Sequence, residues 1–592
     1  MNQVHAQPRR EWQRPLPSRT GRDWRLETFR LGLLFFASVI AVRLLVLQVF
    51  DHDAYAALAE GQHAMFRQLY PERGRILVRD YKDGAVVPLA MNQTLAFVYA
   101  EPRLVKDPKA AAAAVGKELG FDQEKTEELR KKLDQPKDPY EPIEHRVAAE
   151  TGDRIRALAL PGIRVSDERA RLYPEPSLGG QLIGFLGFAS DGSQKGKYGI
   201  EGNLDEVLAG TTGTLRSEKD ISGRLIAVGD RSVEPAVNGA DVLLTIDRAI
   251  QYAACTSLQK AVTKHRADGG SVVILNPDTG AVLAMCGTPD FDPNDYRSVG
   301  DVSTFNNPAI FATYEPGSIF KPVTVAAGID VGAIGPNTTF EDKGEVKVDD
   351  RVIKNSDPTP RGIQTMTQAL DESLNTGMVF AMRTMGRSTF VDYVKRFGFG
   401  EKTGITLDTE QGGDIRPLER KGEIFAATTS FGQGMTSTVL QMAAAYLPLA
   451  NGGILKKPYI VDEIRYPDGR VEKTAPTDIR RVIETKTSRL VGAMLVSVVE
   501  NGHGKQAKVP GYYIAGKTGT AQVPKPTGGY DADKTIGSFA GFGPVEKPRF
   551  VMVVRIDNPK DVKWAESTAA PLFGEIAAFL VKYFEIPPTR PL

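Results

Sequence analysis

A long apolar run near the start of the chain is the clearest feature of its hydrophobic pattern. It covers residues 31–50 and is interrupted only by Ser38, Arg43 and Gln48. Because twenty residues of α-helix span about 30 Å, the thickness of a bilayer core, the run predicts a transmembrane helix. A cleaved signal peptide is one alternative, but no small-x-small cleavage pattern follows the run. A buried helix of a soluble protein is the other.

The residues before this run are polar and rich in arginine. Residues 1–30 contain seven arginines and three acidic residues, and positive charge beside a membrane helix marks its cytoplasmic side. We therefore expect residues 1–30 to form a cytoplasmic tail and everything after residue 50 to lie outside; a protein-binding tail is the lesser alternative. Arg43 would cost about 2.5–3.5 kcal/mol at the bilayer centre, so it either snorkels or marks a contact with another membrane helix.

Two regions follow the apolar run. Residues 51–235 combine a helical insert at residues 108–133 with glycine-marked turns, and predict a separate extracytoplasmic region of mixed structure. Residues 236–592 predict a second domain, with strands at residues 242–246, 271–275, 281–285, 538–545 and 549–556, and helices at residues 367–382, 437–449 and 571–584. Strands at both ends with helices between them predict an α/β (α+β) fold, in which one antiparallel sheet is flanked by helices.

Composition narrows the possible functions. The 592 residues include 74 Lys and Arg against 73 Asp and Glu, and the net charge of +1 gives no reason to expect a nucleic-acid partner. The six histidines show no His-Glu-x-x-His pattern, and we expect neither a metal site nor another cofactor. Two cysteines cannot form a disulfide framework, and the apolar run around Cys286 predicts a buried thiol at that position.

One pair of residues carries candidate chemistry. Ser318 and Lys321 are three positions apart after a Pro-Gly break, so they would share one face of the first turn of a helix. A serine hydroxyl becomes a good nucleophile when a neighbouring base takes its proton. The amine of Lys321 can be that base if its surroundings keep it neutral, which the helix dipole favours. We interpret Ser318 as an acyl-accepting nucleophile and Lys321 as its partner; a helix cap followed by a surface lysine is the alternative.

Two further stretches support this interpretation. Ser373-Leu374-Asn375 follows an apolar helical segment, and Lys517-Thr518-Gly519-Thr520 follows a strand-like segment. Either stretch alone is common. Together with Ser-x-x-Lys, in this order, they match the motifs of penicillin-binding proteins and β-lactamases, apart from Leu374 in the middle motif. The chain therefore resembles the penicillin-recognising serine acyltransferases and, more closely, the membrane-anchored class B penicillin-binding proteins.

The resemblance covers nearly everything after residue 30. Residues 73–76, 171–174 and 199–202 resemble signatures of the class B pedestal, and residues 244–247 with Gln251 resemble the entry to the transpeptidase domain. Residues 314–318, 431–434, 515–521 and 538–542 are more similar to the division-specific (FtsI-type) branch than to the elongation branch. The loop at residues 79–84 is longer than the usual pedestal run.

The resemblance also implies a role for each catalytic residue. Ser318 would attack the carbonyl between the two terminal D-alanines of a peptidoglycan stem peptide, and Lys321 would accept its proton. Ser373 would relay a proton to the leaving nitrogen. Lys517 would hold the hydrogen-bond network and the local positive charge.

The remaining motif residues would bind the donor peptide. Asn375 would bind its amide backbone, Lys517 and Thr518 would attract its terminal carboxylate, and Thr520 would hydrogen-bond that carboxylate. The backbone N–H groups of Ser318 and Thr520 would form an oxyanion hole. Gly519 would let the strand approach the substrate without an intervening side chain.

The implied partners are stem peptides of a lipid II-derived glycan, β-lactams as covalent inhibitors, a SEDS-family (FtsW-like) glycan polymerase and other divisome membrane proteins. The implied function is cross-linking of the septal wall during division. An elongation-specific transpeptidase, a β-lactamase or carboxypeptidase, and a non-catalytic β-lactam sensor or divisome scaffold are the alternatives. A GxSxG hydrolase is excluded, because no serine has glycines two positions before and after it.

Overall fold

The computed structural model describes residues 24–50, 64–190, 192–218, 232–525 and 529–591. These residues form two compact units. One comprises the described residues up to Tyr70 together with Thr212–Ala236, and the other comprises Pro71–Thr211 and Val237–Leu592. Most of the predicted cytoplasmic tail, residues 1–23, lies outside the described residues.

The strands of the described residues follow one another along the chain as β1 to β23. They are β1 Ala64–Leu69, β2 Ile76–Arg79, β3 Val86–Ala100, β4 Glu141–Val147, β5 Ile163–Leu172, β6 Phe185–Phe188, β7 Gln194–Lys197, β8 Gly213–Glu218, β9 Ser232–Glu234, β10 Asp241–Asp247, β11 Gly269–Leu275, β12 Val282–Thr288, β13 Thr339–Asp342, β14 Glu345–Val348, β15 Arg351–Lys354, β16 Gly362–Thr365, β17 Ile454–Lys456, β18 Val461–Arg465, β19 Val471–Lys473, β20 Asp478–Arg481, β21 Ala515–Pro524, β22 Tyr530–Gly543 and β23 Phe550–Asp557.

The α-helices of the described residues lie between these strands and at both ends of the chain. They are Trp24–Leu45, Pro108–Leu119, Gln123–Leu133, Ala149–Ala157, Gly180–Ile183, Gly199–Asn203, Asp205–Ala209, Arg248–Lys264, Pro308–Phe311, Lys321–Asp330, Met366–Asp371, Asn375–Met385, Arg387–Arg396, Glu423–Thr429, Val439–Ala450, Thr485–Glu500 and Ala569–Tyr583.

The first unit contains an exposed apolar helix. It begins at Trp24, ends at Leu45 and continues into a π-helical turn at Val46–Phe50. Residues Leu26–Val49 have a mean hydropathy of 2.2, so this helix is long and apolar enough to cross a membrane, as predicted. It begins before residue 31 because apolar side chains such as Phe29 continue its surface toward the N-terminus. The same unit contains an antiparallel sheet of β1, β8 and β9.

A seven-stranded sheet combines strands from the predicted pedestal and from the predicted catalytic region. Its order is β19-β18-β10-β2-β3-β4, and β5 also pairs with β3. Strands β2 and β10 run parallel, with Ile76 opposite Val242. The predicted insert at residues 108–133 forms two helices, and these pack with Ala96 and Val98 of β3 in a small core of their own.

The three pedestal signatures recognised in the sequence meet at one buried carboxylate. Glu201 is fully buried, and its two oxygens accept hydrogen bonds from Arg73 at 2.8 Å and from Arg171 at 2.7 Å. The other carboxylate beside Arg73 is that of Asp205, at 2.8 Å. A buried charge is tolerated only when it is paired and hydrogen-bonded, so this network explains why charged residues recur in all three stretches.

The predicted catalytic region is built on a five-stranded antiparallel sheet, ordered β12-β11-β23-β22-β21. Successive residues of β11 belong to different cores: Val272 packs with helices Arg248–Lys264 and Ala569–Tyr583, whereas Val273 packs with helix Val439–Ala450. Since both faces of the sheet are covered, its inner strands β11 and β23 contain continuous apolar runs, at residues 272–275 and 550–554. The predicted strand pairs, the antiparallel sheet and its flanking helices are confirmed.

The prediction of a buried thiol at Cys286 is wrong. Cys286 is buried, but it forms a disulfide with Cys255, with 5.4 Å between their Cα atoms. Helix Arg248–Lys264 packs on β12, and this packing brings together two residues that are 31 positions apart. The sequence spacing did not reveal that the helix returns over the strand. A disulfide agrees with the expected extracytoplasmic location of this region.

The predicted helix at residues 367–382 is two helices. Helix Met366–Asp371 ends, and helix Asn375–Met385 begins after a short turn. The turn contains Ser373, whose φ of 54° lies in the left-handed region that helices do not use. The apolar pattern continues across the break, which is why it predicted a single helix.

Candidate active site

The turn that precedes Ser318 is held by backbone and side-chain bonds to residues 431–434. The N–H of Gly317 donates to the carbonyl of Gly432 at 3.0 Å, and the N–H of Gly434 donates to Glu315 at 3.0 Å. Ser318 then lies in a 3₁₀ turn, Gly317–Phe320, that leads directly into helix Lys321–Asp330. The predicted helix start is therefore confirmed, with a tighter first turn than an α-helix.

Lys321 lies beneath this turn and has no exposed surface. Its Nζ atom donates to the backbone carbonyl of Ser373 and lies 3.1 Å from the Ser373 hydroxyl oxygen. Burial, followed by the nearby charge of Lys517, holds the pKa of Lys321 well below that of an ordinary lysine. Burial and the depressed pKa therefore favour the neutral amine, which is the form that can accept a proton.

The second motif brings its serine, but not its asparagine, to the cleft that Ser318 lines. Ser373 lines this cleft, whereas Asn375 is not among the lining residues. The side-chain amide of Asn375 donates to the carbonyl of Lys354 at 2.8 Å. Asn375 is the first residue of its helix. The hydrogen bond to Lys354 connects this helix start to the end of strand β15.

Lys517 on β21 is the second buried lysine of the site. Its side chain has no exposed surface, and Nζ donates to the carbonyl of Thr518 at 3.1 Å. Burial lowers the pKa of Lys517 to about 7, while the carboxylates of Asp371 and Glu566 oppose that shift. The charge of this amine is therefore sensitive to pH near neutrality.

Alternation along β21 divides the third motif between two surfaces. Thr518 and Thr520 line the cleft, and the Thr520 hydroxyl accepts a hydrogen bond from the N–H of Ala565 at 3.1 Å. Gly519 faces the other way: a Cβ atom there would lie 3.0 Å from Ile319 Cγ2. Gly519 thus lets β21 approach the turn that carries Ser318. The sequence had predicted instead that this glycine lets the strand approach the substrate.

All three motifs meet at one cleft of about 310 Å³. Ser318, Ser373, Thr518 and Thr520 line it, while Lys321 and Lys517 are buried close to these residues. Sequence reasoning missed the other charged, polar and aromatic residues of the lining: Asn355, Ser356, Asp357, Arg361, Glu372, His503, Trp564 and Glu566. They belong to loops and short turns outside the motifs, so no local pattern marked them.

Two family models match the chain. The Penicillin binding protein transpeptidase domain matches residues 270–578, and the Penicillin-binding Protein dimerisation domain matches residues 68–244. The first model covers the strands and helices that form the cleft. The second covers most of the predicted pedestal, residues 51–235, and extends a few residues beyond it.

Named relatives agree with both models. Stage V sporulation protein D of Bacillus subtilis is 35% identical over 92% of this chain and 83% of its own length. Peptidoglycan D,D-transpeptidase FtsI of Escherichia coli is 30% identical, over 96% of this chain and 93% of its own. The crystal structure of penicillin binding protein 3 from Mycobacterium tuberculosis complexed with aztreonam has 28% identity and a TM-score of 0.67, and covers 89% of this chain and 99% of that one.

The similarity to these relatives extends over nearly the whole chain and is not confined to the three motifs. The matches include the pedestal as well as the catalytic region, which distinguishes the chain from a free-standing β-lactamase. The chain belongs to the class B penicillin-binding proteins of the FtsI type, the serine D,D-transpeptidases of peptidoglycan synthesis.

Proposed function

We propose that Ser318 is the nucleophile of this transpeptidase and that Lys321 is its base. The environment of Lys321 carries the proposal: its amine is buried, bonded to Ser373 and held at a depressed pKa. A neutral amine retains the lone pair with which it can take the Ser318 proton. A structural lysine at a surface would have none of these properties.

In the first half of the reaction, Ser318 Oγ attacks the carbonyl carbon between the terminal D-alanines while its proton passes to Lys321 Nζ. The new C–O bond replaces the C–N bond, and the proton reaches the leaving nitrogen through the hydroxyl of Ser373, 3.1 Å from Lys321. Free D-alanine departs. In the second half an amine of another stem peptide attacks the ester, the C–N bond forms, the C–O bond breaks and a proton returns to Ser318 Oγ.

Donor binding uses the strand on the other side of the cleft. Thr518 and Thr520 hydrogen-bond the terminal carboxylate above the positive charge of Lys517. The N–H groups of Ser318 and Thr520 stabilise the oxyanion, and one such donor is typically worth about 2.7–4 kcal/mol. Asn375 is proposed to bind the donor amide as well; because its side-chain amide now donates to the carbonyl of Lys354 and does not line the cleft, it must turn toward the cleft to do so.

We propose further that the protein acts in septal wall synthesis. The apolar helix at Leu26–Val49 would anchor it in the cytoplasmic membrane with the arginine-rich N-terminus inside. The FtsI name of several relatives supports a division role, and the aztreonam complex of a similar protein supports β-lactams as inhibitors. A SEDS-family glycan polymerase and other divisome membrane proteins are the proposed membrane partners.

Labelling with fluorescent penicillin tests the nucleophile. We expect the wild-type protein to be labelled, Ser318→Ala to lose labelling completely and Ser298→Ala, an exposed serine outside the cleft, to be labelled like the wild type. Circular dichroism checks that both variants fold. Labelling of Ser318→Ala would contradict the proposal.

Measurements in cells test which reaction the protein catalyses and whether it acts at the septum. In cells that depend on this protein, muropeptide analysis should show cross-linked dimers, whereas trimmed monomers would indicate a carboxypeptidase. Undiminished cross-linking with Ser318→Ala would indicate a scaffold. A fluorescent fusion should concentrate at the septum, and uniform side-wall signal would favour the elongation-specific alternative.

A further inference from the structure

Three of the residues that line the cleft outside the motifs are His503, Trp564 and Glu566, which we call the rim. His503 Nδ1 lies 3.0 Å from Glu566 Oε2, and the two side chains are 46% and 43% exposed. Along the described parts of the chain, Glu566 Oε1 has no hydrogen-bond partner. One oxygen of this carboxylate is therefore held by the protein while the other is available to a ligand.

The rim is fixed to both sides of the cleft. The N–H of His503 donates to the carbonyl of Asp371 at 3.3 Å, and a Cβ atom on Gly502 would meet the same carbonyl at 2.5 Å, so this loop packs closely against the helix that precedes the second motif. On the other side, Ala565 donates its N–H to the hydroxyl of Thr520. Glu566 is thus positioned against the strand that holds the donor.

This position is the leaving-group side of the reaction. Thr520 is proposed to hold the carboxylate of the D-alanine that departs, and the acceptor nitrogen must bond to the carbon from which the D-alanine nitrogen leaves. The acceptor therefore enters by the space that D-alanine vacates. The charge of Lys517, which attracts the donor carboxylate, would repel an incoming ammonium there, and Glu566 is near enough to counter that charge.

The other acidic residues of the cleft already have a cation. Asp357 lies 3.2 Å from Arg361, and Glu372 lies 3.5 Å from the same guanidinium. Glu566 is hydrogen-bonded to an imidazole, and it is the carboxylate of the lining that forms no ion pair with an arginine or lysine of the described residues. Trp564 adds an indole that is 55% exposed, and an aromatic face beside a carboxylate suits the methylenes and the cation of an alkyl amine.

We propose that Glu566, positioned by His503 and flanked by Trp564, binds the acceptor of the transpeptidation, and that the acceptor is a primary alkyl ammonium such as that of a diamino acid in a second stem peptide. The proposal rests on the proposed function, since it assigns the second half of that reaction. The bound ammonium first loses one proton and becomes an amine. Its nitrogen then forms the C–N bond and gives up a second proton, which passes to Ser318 Oγ as the C–O bond to Ser318 breaks. One proton is released overall.

Two measurements on the purified full-length protein separate the halves of the reaction. The first is the rate of acylation by fluorescent penicillin. The second is aminolysis of a D-alanyl thioester donor by D-lysine, with the cross-linked and hydrolysed products counted by mass spectrometry. We expect Glu566→Gln to leave acylation within about twofold of wild type and to raise the KM for D-lysine about three- to tenfold, the effect of losing one charged hydrogen bond. Hydrolysis should increase relative to aminolysis.

Matched variants test the positioning role of His503. His503→Asn retains an N–H that can donate to Glu566 and should keep most of the affinity for D-lysine, whereas His503→Leu should resemble Glu566→Gln. Glu546→Gln removes an exposed carboxylate outside the cleft and should change neither measurement. An unchanged KM for D-lysine in Glu566→Gln, or an equal loss in acylation and aminolysis, would overturn the proposal. Absence of acylation in the wild-type protein would contradict the proposed nucleophile instead.

Discussion

The Nζ atom of Lys321 lies 3.1 Å from the hydroxyl oxygen of Ser373, although 52 positions separate the two residues. The bond connects the helix that follows the nucleophile with the turn between two other helices. It gives a proton on Lys321 a direct route to a second hydroxyl at the surface of the cleft. This distance places the first and second motifs within hydrogen-bonding reach of each other, as the proposed proton transfer requires.

Removal of the Ser373 hydroxyl should slow acylation about 10²-fold or more, the usual contribution of a positioned proton-transfer group. Ser373 has a φ of 54°, which glycine adopts more easily than alanine. Ser373→Gly and Ser373→Ala should therefore differ in thermal stability but be equally slow with a chromogenic β-lactam. A Ser373→Gly variant that acylates at the wild-type rate would exclude the hydroxyl from the proton route.

The pH dependence of acylation should be bell-shaped. Below the depressed pKa of Lys321 its amine is protonated and cannot take the Ser318 proton, so the rate should fall on the acid side. As the pH rises through about 7, Lys517 loses the charge that attracts the donor carboxylate, so the rate should fall on the alkaline side as well. The second-order rate constant kcat/KM reports both groups in the free enzyme.

Stopped-flow acylation between pH 5 and 10, at constant ionic strength, measures this profile. A β-lactam ester without the carboxylate serves as the control, because its acylation should keep the acid limb and lose the alkaline one. A kcat/KM for the carboxylate substrate that stays constant up to pH 10 would show that Lys517 remains charged, contrary to the effect of its burial.

Gly519→Ala should damage both stability and catalysis. The added Cβ would lie 2.8 Å from Ser538 Oγ and 3.0 Å from Pro316 O, so the strand or the nucleophile turn must shift. We expect a loss of about 1–3 kcal/mol in the free energy of unfolding and slower acylation. Gly300→Ala is the control, since nothing lies within 4 Å of its new methyl group; equal effects in the two variants would refute the packing argument.

Glu201→Gln should destabilise the pedestal strongly. Removing this charge leaves the buried guanidinium groups of Arg73 and Arg171 without their shared carboxylate, and breaking such a buried pair typically costs about 3–5 kcal/mol. Urea unfolding measures the loss. Glu127→Gln, which breaks an ion pair with Arg130 on a helix surface, should leave the unfolding midpoint unchanged, and a similar shift in both variants would contradict the special role of Glu201.

The sequence predicted the parts of the molecule that have local signals. The membrane-type helix, the strand pairs of the central sheet and the three motifs each follow from residues that are close together in the chain. The motifs also predicted that Ser318 and Ser373 share a site, because their order matches a known family. Each of these inferences needs only a periodicity or a short spacing.

What the sequence did not predict depends on contacts between distant segments. The disulfide of Cys255 and Cys286 requires a helix to cross back over a strand. The break before Asn375 is hidden because buried side chains continue on both sides of it. Glu566 shows no motif, and its place in the cleft follows only from the fold that brings its turn beside Thr520.

The parallel pairing of β2 with β10 has a mechanical consequence. β10 is the first strand after the predicted pedestal, yet its backbone hydrogen-bonds to a strand of that pedestal on one side and to β18 on the other. The two regions therefore cannot rotate independently about residue 236, because such a rotation would break the backbone hydrogen bonds between β2, β10 and β18. A force applied to the pedestal is therefore transmitted to the catalytic region through the sheet that β2 and β10 share.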